Sequence, residues 1–182
     1  MNIIYLEQSA QCLVKEIKII IVENSLQTTL IHRAPAKILN IHTAYYQLFD
    51  EALQRYNAKQ KRKDRVIKDY YNKIRTSKQE KTFYEVIIQI GNCKDTNAKS
   101  PEGELAKIIL DEYMNNFQKR NPSLFVFSAH LHMDEETPHL HIDFIPFTTG
   151  SMRGLETRVS LKKALEALGF TGGTKSHTER NQ

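Results

Sequence analysis

An α+β fold built on a largely antiparallel sheet is predicted for this 182-residue chain by three observations. Residues 124–132 and 139–145 both have strand character, and only six residues join them, which reads as a hairpin. Two further runs, residues 17–22 and 81–90, are rich in β-branched residues or alternate between apolar and polar. Helical spacing falls between these strands, so the expected order is strand, helices, strand, helix, hairpin, helix, with the helices packed on one face of the sheet.

Each element has its own local reason. Residues 17–22 (IKIIIV) are β-branched, although a helix over residues 8–18 competes for part of the run, and the polar residues 23–29 form a turn. Residues 43–78 read as helix, in two pieces. Tyr45, Leu48, Phe49, Ala52, Leu53 and Tyr56 form one stripe, Val66, Ile67, Tyr70, Tyr71 and Ile74 a second, and the polar run 58–64 separates them. In residues 81–90 (KTFYEVIIQI), Tyr84, Val86, Ile88 and Ile90 share the drier face. Ser100-Pro101 opens a helix as N-cap and first helical residue, Glu102 and Glu104 suit its positive end, and Asn121-Pro122 stops it. Its expected buried stripe is Leu105, Ile108, Ile109, Tyr113 and Phe117. A last short helix spans residues 160–168, with Leu161, Ala164, Leu165 and Leu168 inward and Gly169 as its stop.

Composition narrows the function classes. Hydrophobic residues make up 40% and charged residues 26%, as in an ordinary globular domain. No apolar run is long enough to span a bilayer, and the two cysteines, Cys12 and Cys93, form no CxxC motif, so a cytoplasmic protein with reduced thiols is expected. Net charge is +5 and unevenly placed. Residues 59–81 hold ten basic and three acidic side chains, +7, which leaves −2 for the remainder. A segment of that kind suits a polyanion such as nucleic acid.

The chemistry concentrates in the hairpin. Residues 130–146, HLHMDEETPHLHIDFIP, contain four of the seven histidines and the carboxylates Asp134, Glu135, Glu136 and Asp143. Side chains alternate along a strand, so His139 and His141 project from one face. His132 stands across the turn as the third imidazole, with His130, of the same parity, as its rival. Three neutral imidazoles suit Mn²⁺, Zn²⁺, Co²⁺ or Ni²⁺ and leave coordination positions open, as a catalytic ion requires. Glu135, in the turn, completes the shell, orients a ligand or accepts a proton. Asp143 either orients an imidazole or is a plain sheet-surface carboxylate. An ion held there can polarise a phosphodiester oxygen, while the basic segment holds the DNA phosphates.

These residues resemble the third motif of the Mob/Pre plasmid mobilisation and recombination relaxases, the MobV group of HUH endonucleases. That motif, H-x-D-E-x-x-P-H-x-H, is matched at His132, Asp134, Glu135, Pro138, His139 and His141. The stretches QRYNAKQKRKDRVIKDYY, KTFYEVIIQIGN, FQKRNP and RGLETRVSLKKAL share the likeness, so it covers roughly residues 43–177. The resemblance implies an HUH fold over a single relaxase-like domain, residues 1–182. It implies nicking of one strand of plasmid DNA, single-stranded or as an origin hairpin, by transesterification, leaving a side chain joined to the DNA 5′ end. His132, His139 and His141 become the metal ligands with Glu135 in or beside the shell, and Mn²⁺ is the implied ion, with Mg²⁺ as the alternative.

The first motif of that family, a nucleophilic histidine in H-N-x-R, is not matched. His32-Arg33 is the nearest fragment, so His32 is the expected nucleophile, with His42, Tyr45 and Tyr46 as alternatives. Residues 1–40 are expected to be divergent, and the long helical C-terminal region of the family is expected to be missing. A chain that binds DNA without cutting it is the alternative reading; a hydrolase using water is a third.

Overall fold

The computed structural model describes residues 17–22 and 38–170. Their elements are β1 (Ile17–Val22), α1 (Ile41–Ala58), a 3-10 turn (Lys63–Arg65), α2 (Tyr70–Arg75), β2 (Tyr84–Ile90), α3 (Pro101–Arg120), β3 (Leu124–His132), β4 (His139–Thr148), β5 (Arg158–Val159) and α4 (Leu161–Ala167). The sheet runs in the order β1-β2-β4-β3, with every pair antiparallel and β5 added to the far end of β4. The α+β class with an antiparallel sheet is therefore the one observed.

Both faces of the sheet carry helices, rather than the one expected. On the first face, Val86, Ile88, Leu140, Ile142 and Phe144 pack with Ala106, Leu110 and Phe117 of α3 and Ala164 of α4. Burying each large apolar side chain there contributes about 1.5–3 kcal/mol. On the second face, Ala44, Tyr45 and Phe49 of α1 and Tyr70 and Ile74 of α2 pack with Phe127, Ile145 and Val159, joined by Phe83, Phe125 and Phe147. Strand alternation puts His139, His141, Asp143, Ile145 and Phe147 on this same second face. Helices α1 and α2 cover its far half, and the imidazoles occupy the half nearest the turn.

A β-bulge marks the boundary between the halves. The β3–β4 register shifts between Val126 and Ser128, so Phe127 is an extra residue without a partner on β4. Phe127 sends its ring into the aromatic cluster, and its carbonyl accepts from Leu39 N at 2.7 Å, tying the entry to α1 to the sheet.

Helix expectations hold at their caps and fail in two interiors. The two helical pieces expected over residues 43–78 are observed, but the second is short: α1 ends at Ala58, and α2 is six residues long and leaves Val66 and Ile67 outside it. The side chain of Asn57 accepts from Ile67 N (2.9 Å) and donates to Ile67 O (2.8 Å), so the polar run 59–66 bulges out as a clamped loop. Asp69 then restarts the helix by accepting from Asn72 N. In α3, Ser100 caps as expected, accepting from Gly103 N at 3.1 Å. Its buried face, however, is Gly103, Ala106, Leu110 and Phe117, while Leu105 and Ile108 are exposed. Gly103 explains the rotation: a Cβ there would lie 2.1 Å from Asn97 O, so this side of α3 is pressed against the preceding loop. That loop reaches the hairpin, since Ala98 N donates to Glu136 O at 3.1 Å and braces the turn.

Candidate metal centre

Residues on two neighbouring strands build the centre. In the register, His132 faces His139 and His130 faces His141, so all four imidazoles start on one face. Three of them converge: His132, His139 and His141 each offer a ligand atom, and these atoms lie within 4.8 Å of one another. Their ring centroids are 4.7–5.1 Å apart. His130 is turned away, with its Nε2 2.9 Å from Ser128 Oγ. Of the two rivals for third imidazole, His132 is the one the strand pairing brings to the group.

The hydrogen bonds set the tautomers. His139 Nδ1 lies 2.9 Å from the carbonyl of Thr137, which can only accept, so Nδ1 carries the proton and Nε2 a lone pair. His141 Nδ1 lies 2.6 Å from Glu85 Oε1 and donates to it, which leaves Nε2 of His141 as a second lone pair. His132 Nδ1 is buried without a hydrogen-bond partner; its nearest carboxylate oxygen, on Asp134, is 3.8 Å away. An orphaned buried nitrogen beside two imidazoles with fixed Nδ1–H tautomers fits a cation, because a cation is what two lone pairs and an orphan share without a proton. Burial pushes the pKa of His132 down, and the neighbouring His141 and His139 add to the effect, so the neutral, ligating form is favoured. Glu135 stands at the rim, its Oε2 3.8 Å from His139 Nε2, on a largely exposed side chain.

Glu85 is the functional residue that sequence reasoning missed. It sits on β2, pairs across from Asp143, and is buried at 8% exposure. The expected orienting carboxylate, Asp143, has a different setting. Burial first, and then the charge of Glu85, push its pKa up to about 6, against a hydrogen bond from Ser128. The only signal for Glu85 was a charged residue at the centre of an apolar strand, with the parity of the wetter face.

The remaining candidates are dispersed. His32 lies outside the described residues. Tyr45 is buried, its hydroxyl donates to Thr82 O at 2.7 Å, and burial pushes its pKa up, so it is an anchor and not an available nucleophile. His42 and Tyr46 are exposed on α1, at the far end of the same face. A strand rise of about 3.4 Å per residue separates Ile145, under α1, from His139 by roughly 20 Å. The basic segment is placed at that far end as well, in the 3-10 turn, the loops around it and α2. There Arg62 is paired with Asp64, and Lys61, Lys63, Lys68, Lys73 and Arg75 are exposed.

An antiparallel sheet with helices on both faces thus carries, at a hairpin turn, a three-histidine cluster that could hold a metal ion. The family model for the plasmid recombination enzymes, Mob/Pre, matches residues 34–171, and the chain belongs to that family. No curated protein and no solved structure matches it. No helix among the described residues is long and apolar enough to cross a membrane.

Proposed function

We propose that the chain is a metal-dependent relaxase, reading as one domain, that nicks one strand of plasmid DNA at an origin of transfer, presented single-stranded or as a hairpin. The observation that carries this reading is the convergence of His132, His139 and His141 with tautomers that free two Nε2 atoms. In this reading the three imidazoles hold a divalent ion, Mn²⁺ ahead of Mg²⁺ because nitrogen-rich ligation suits the softer ion. When bound, that ion supplies Lewis-acid polarisation of the scissile phosphate and stabilises its developing charge. Glu85 holds the ring of His141 in its ligating tautomer. Glu135, at the rim, orients a ligand or accepts a proton from the attacking group. The exposed lysines and arginines of residues 59–81 hold the strand by its phosphates. His32 is the candidate nucleophile. Its attack on phosphorus expels the 3′ oxygen and leaves the 5′ phosphate joined to the protein.

The test is nicking of supercoiled plasmid carrying the cognate origin, with Mn²⁺, read on denaturing gels of labelled DNA. A covalent protein–DNA adduct is expected from the wild type, and a loss of roughly 10²–10³-fold or more from His139→Ala with its fold retained. Full cleavage by His139→Ala would defeat the metal role. A second reading, binding without cutting, draws on the missing H-N-x-R motif; it expects origin binding with no adduct under any divalent ion. Free 5′ ends in place of an adduct would instead mean hydrolysis by water.

A further inference from the structure

The far end of the triad-bearing face holds a cleft to which the proposed nicking gives no part beyond the phosphate contact of Lys68. It lies between α1 and α2, has a volume of about 300 Å³, and is lined by His42, Tyr46, Asp50, Lys68, Asp69 and Tyr71, among others. A volume of that size is at the small end of ligand cavities, enough for one planar heterocycle and its sugar.

Its lining is aromatic and held in place. Tyr71 lies edge-on to Tyr45 at 5.1 Å, and Tyr45 is fixed by its bond to Thr82 O. His42 rests against Tyr71 at 4.3 Å. Tyr46, off the buried stripe of α1, is 66% exposed. Lys68 follows directly on Ile67, which Asn57 clamps to the end of α1. The two carboxylates are oriented too: Asp50 Oδ2 accepts from Gln54 at 2.7 Å and Asp69 Oδ1 from Asn72 N at 3.0 Å, which leaves the second oxygen of each directed elsewhere.

The charges say which part of a nucleotide enters. Two carboxylates repel a phosphate from the cleft, whereas Lys68 and the surrounding basic residues attract one to its rim. Aromatic faces stack any base, and a carboxylate oxygen accepts a hydrogen bond from an exocyclic amino group at the ring edge, which cytosine, adenine and guanine have, whereas thymine offers only its ring N3–H between two carbonyls that a carboxylate repels. We propose that this cleft seats one unstacked, amino-bearing base of single-stranded DNA, with its phosphate on Lys68, as the strand runs along the sheet face toward the three histidines. This rests on the DNA-processing reading given above.

The experiment measures fluorescence anisotropy of the full chain, near neutral pH, with labelled single strands of cytidine alone, thymidine alone, and an abasic strand that keeps only sugar and phosphate. The wild type is expected to bind the cytidine strand more tightly than the thymidine strand, and both more tightly than the abasic one. Tyr46→Ala is expected to weaken the cytidine strand by roughly 5–100-fold while barely changing the abasic one, and Tyr46→Phe to restore it. Lys68→Ala is expected to lower the slope of log affinity against log salt by about 0.7. Equal binding of cytidine and thymidine strands would overturn the preference for an amino-bearing base. Equal losses on cytidine and abasic strands in Tyr46→Ala, or none, would overturn the cleft as a base site while leaving DNA binding intact. Failure of the wild type to bind any strand, abasic included, would instead bring down the DNA-processing reading and this proposal with it.

Discussion

At the turn end of the second sheet face, β2, β3 and β4 present Glu85, Asp143 and three imidazoles; a few residues along the same strands, they present Phe83, Phe125, Phe127, Ile145 and Phe147. The two ends share backbone, register and parity, and differ in what covers them. At the aromatic end, α1 and α2 dry the surface, and van der Waals packing does the stabilising. At the turn end no described helix lies over the rings, so polar groups survive there by bonding one another. The difference teaches that stability and chemistry are separated along the strand direction, not between opposite faces. Changes at one end should therefore leave the other nearly untouched, since sites well apart and without shared partners add independently.

The largest expected effect tests the aromatic end. Phe49 is 1% exposed and packs against Tyr45 and Tyr70, so Phe49→Ala should cost about 3–5 kcal/mol of stability by denaturant titration. Mn²⁺ affinity of the remaining folded protein should stay within a few-fold of wild type. A parallel collapse of metal binding in folded protein would erase the separation.

The next effect probes the polar end. Glu85→Ala removes the acceptor of His141 Nδ1 and should weaken Mn²⁺ binding by about 10–100-fold in calorimetric titration, with Glu85→Gln recovering part of the loss through its side-chain carbonyl. Unchanged affinity in Glu85→Ala would mean that His141 needs no orienting partner.

The smallest effect is pH-dependent and sharpens the contrast. The Asp143 carboxyl titrates at about 6 in the folded chain, above the 3.8 of an unperturbed group. Below both values it is protonated folded or unfolded and costs nothing. As pH rises from about 4 to 6 the unfolded chain releases its proton first, so ionising Asp143 erodes stability across that window. Asp143→Asn should thus be more stable than wild type at about pH 8 and no more stable at about pH 4, in denaturation curves of the metal-free protein. A gain that is the same at both pH values would show that ionisation is not the cause.

How much of this was legible in the sequence follows from how local each determinant is. The hairpin, its three histidines and the cap Ser100 are set by neighbours within a few positions, and they stand where they were expected. Glu85 was not legible because its partner is 56 positions away, and only the β2–β4 register brings them together. The face of α3 was misjudged for a related reason. Leu105 and Ile108 fit a helical stripe as well as Ala106 and Leu110 do, and the choice falls to the close approach of Gly103 to Asn97. The second helical piece after residue 43 is shorter than its stripe suggests because Asn57 spends its side chain on Ile67, a contact no periodicity reveals. Strand β5, two residues long, is too short to leave a pattern.

The extra residue at Phe127 has a consequence for how such a chain can change. Ahead of it the paired numbers on β3 and β4 add to one constant, as in Leu124 with Pro146, and beyond it to a constant one larger, as in His132 with His139. Excising Phe127 alone would bring the two halves of the ladder into a single unbroken frame, with every histidine still opposite its present neighbour. What would vanish is the ring beneath α1 and the carbonyl that receives Leu39. Deletion and insertion at this one position thus offer a lineage a way to rebuild the helical platform, and whatever it grips, without disturbing the cluster at the hairpin.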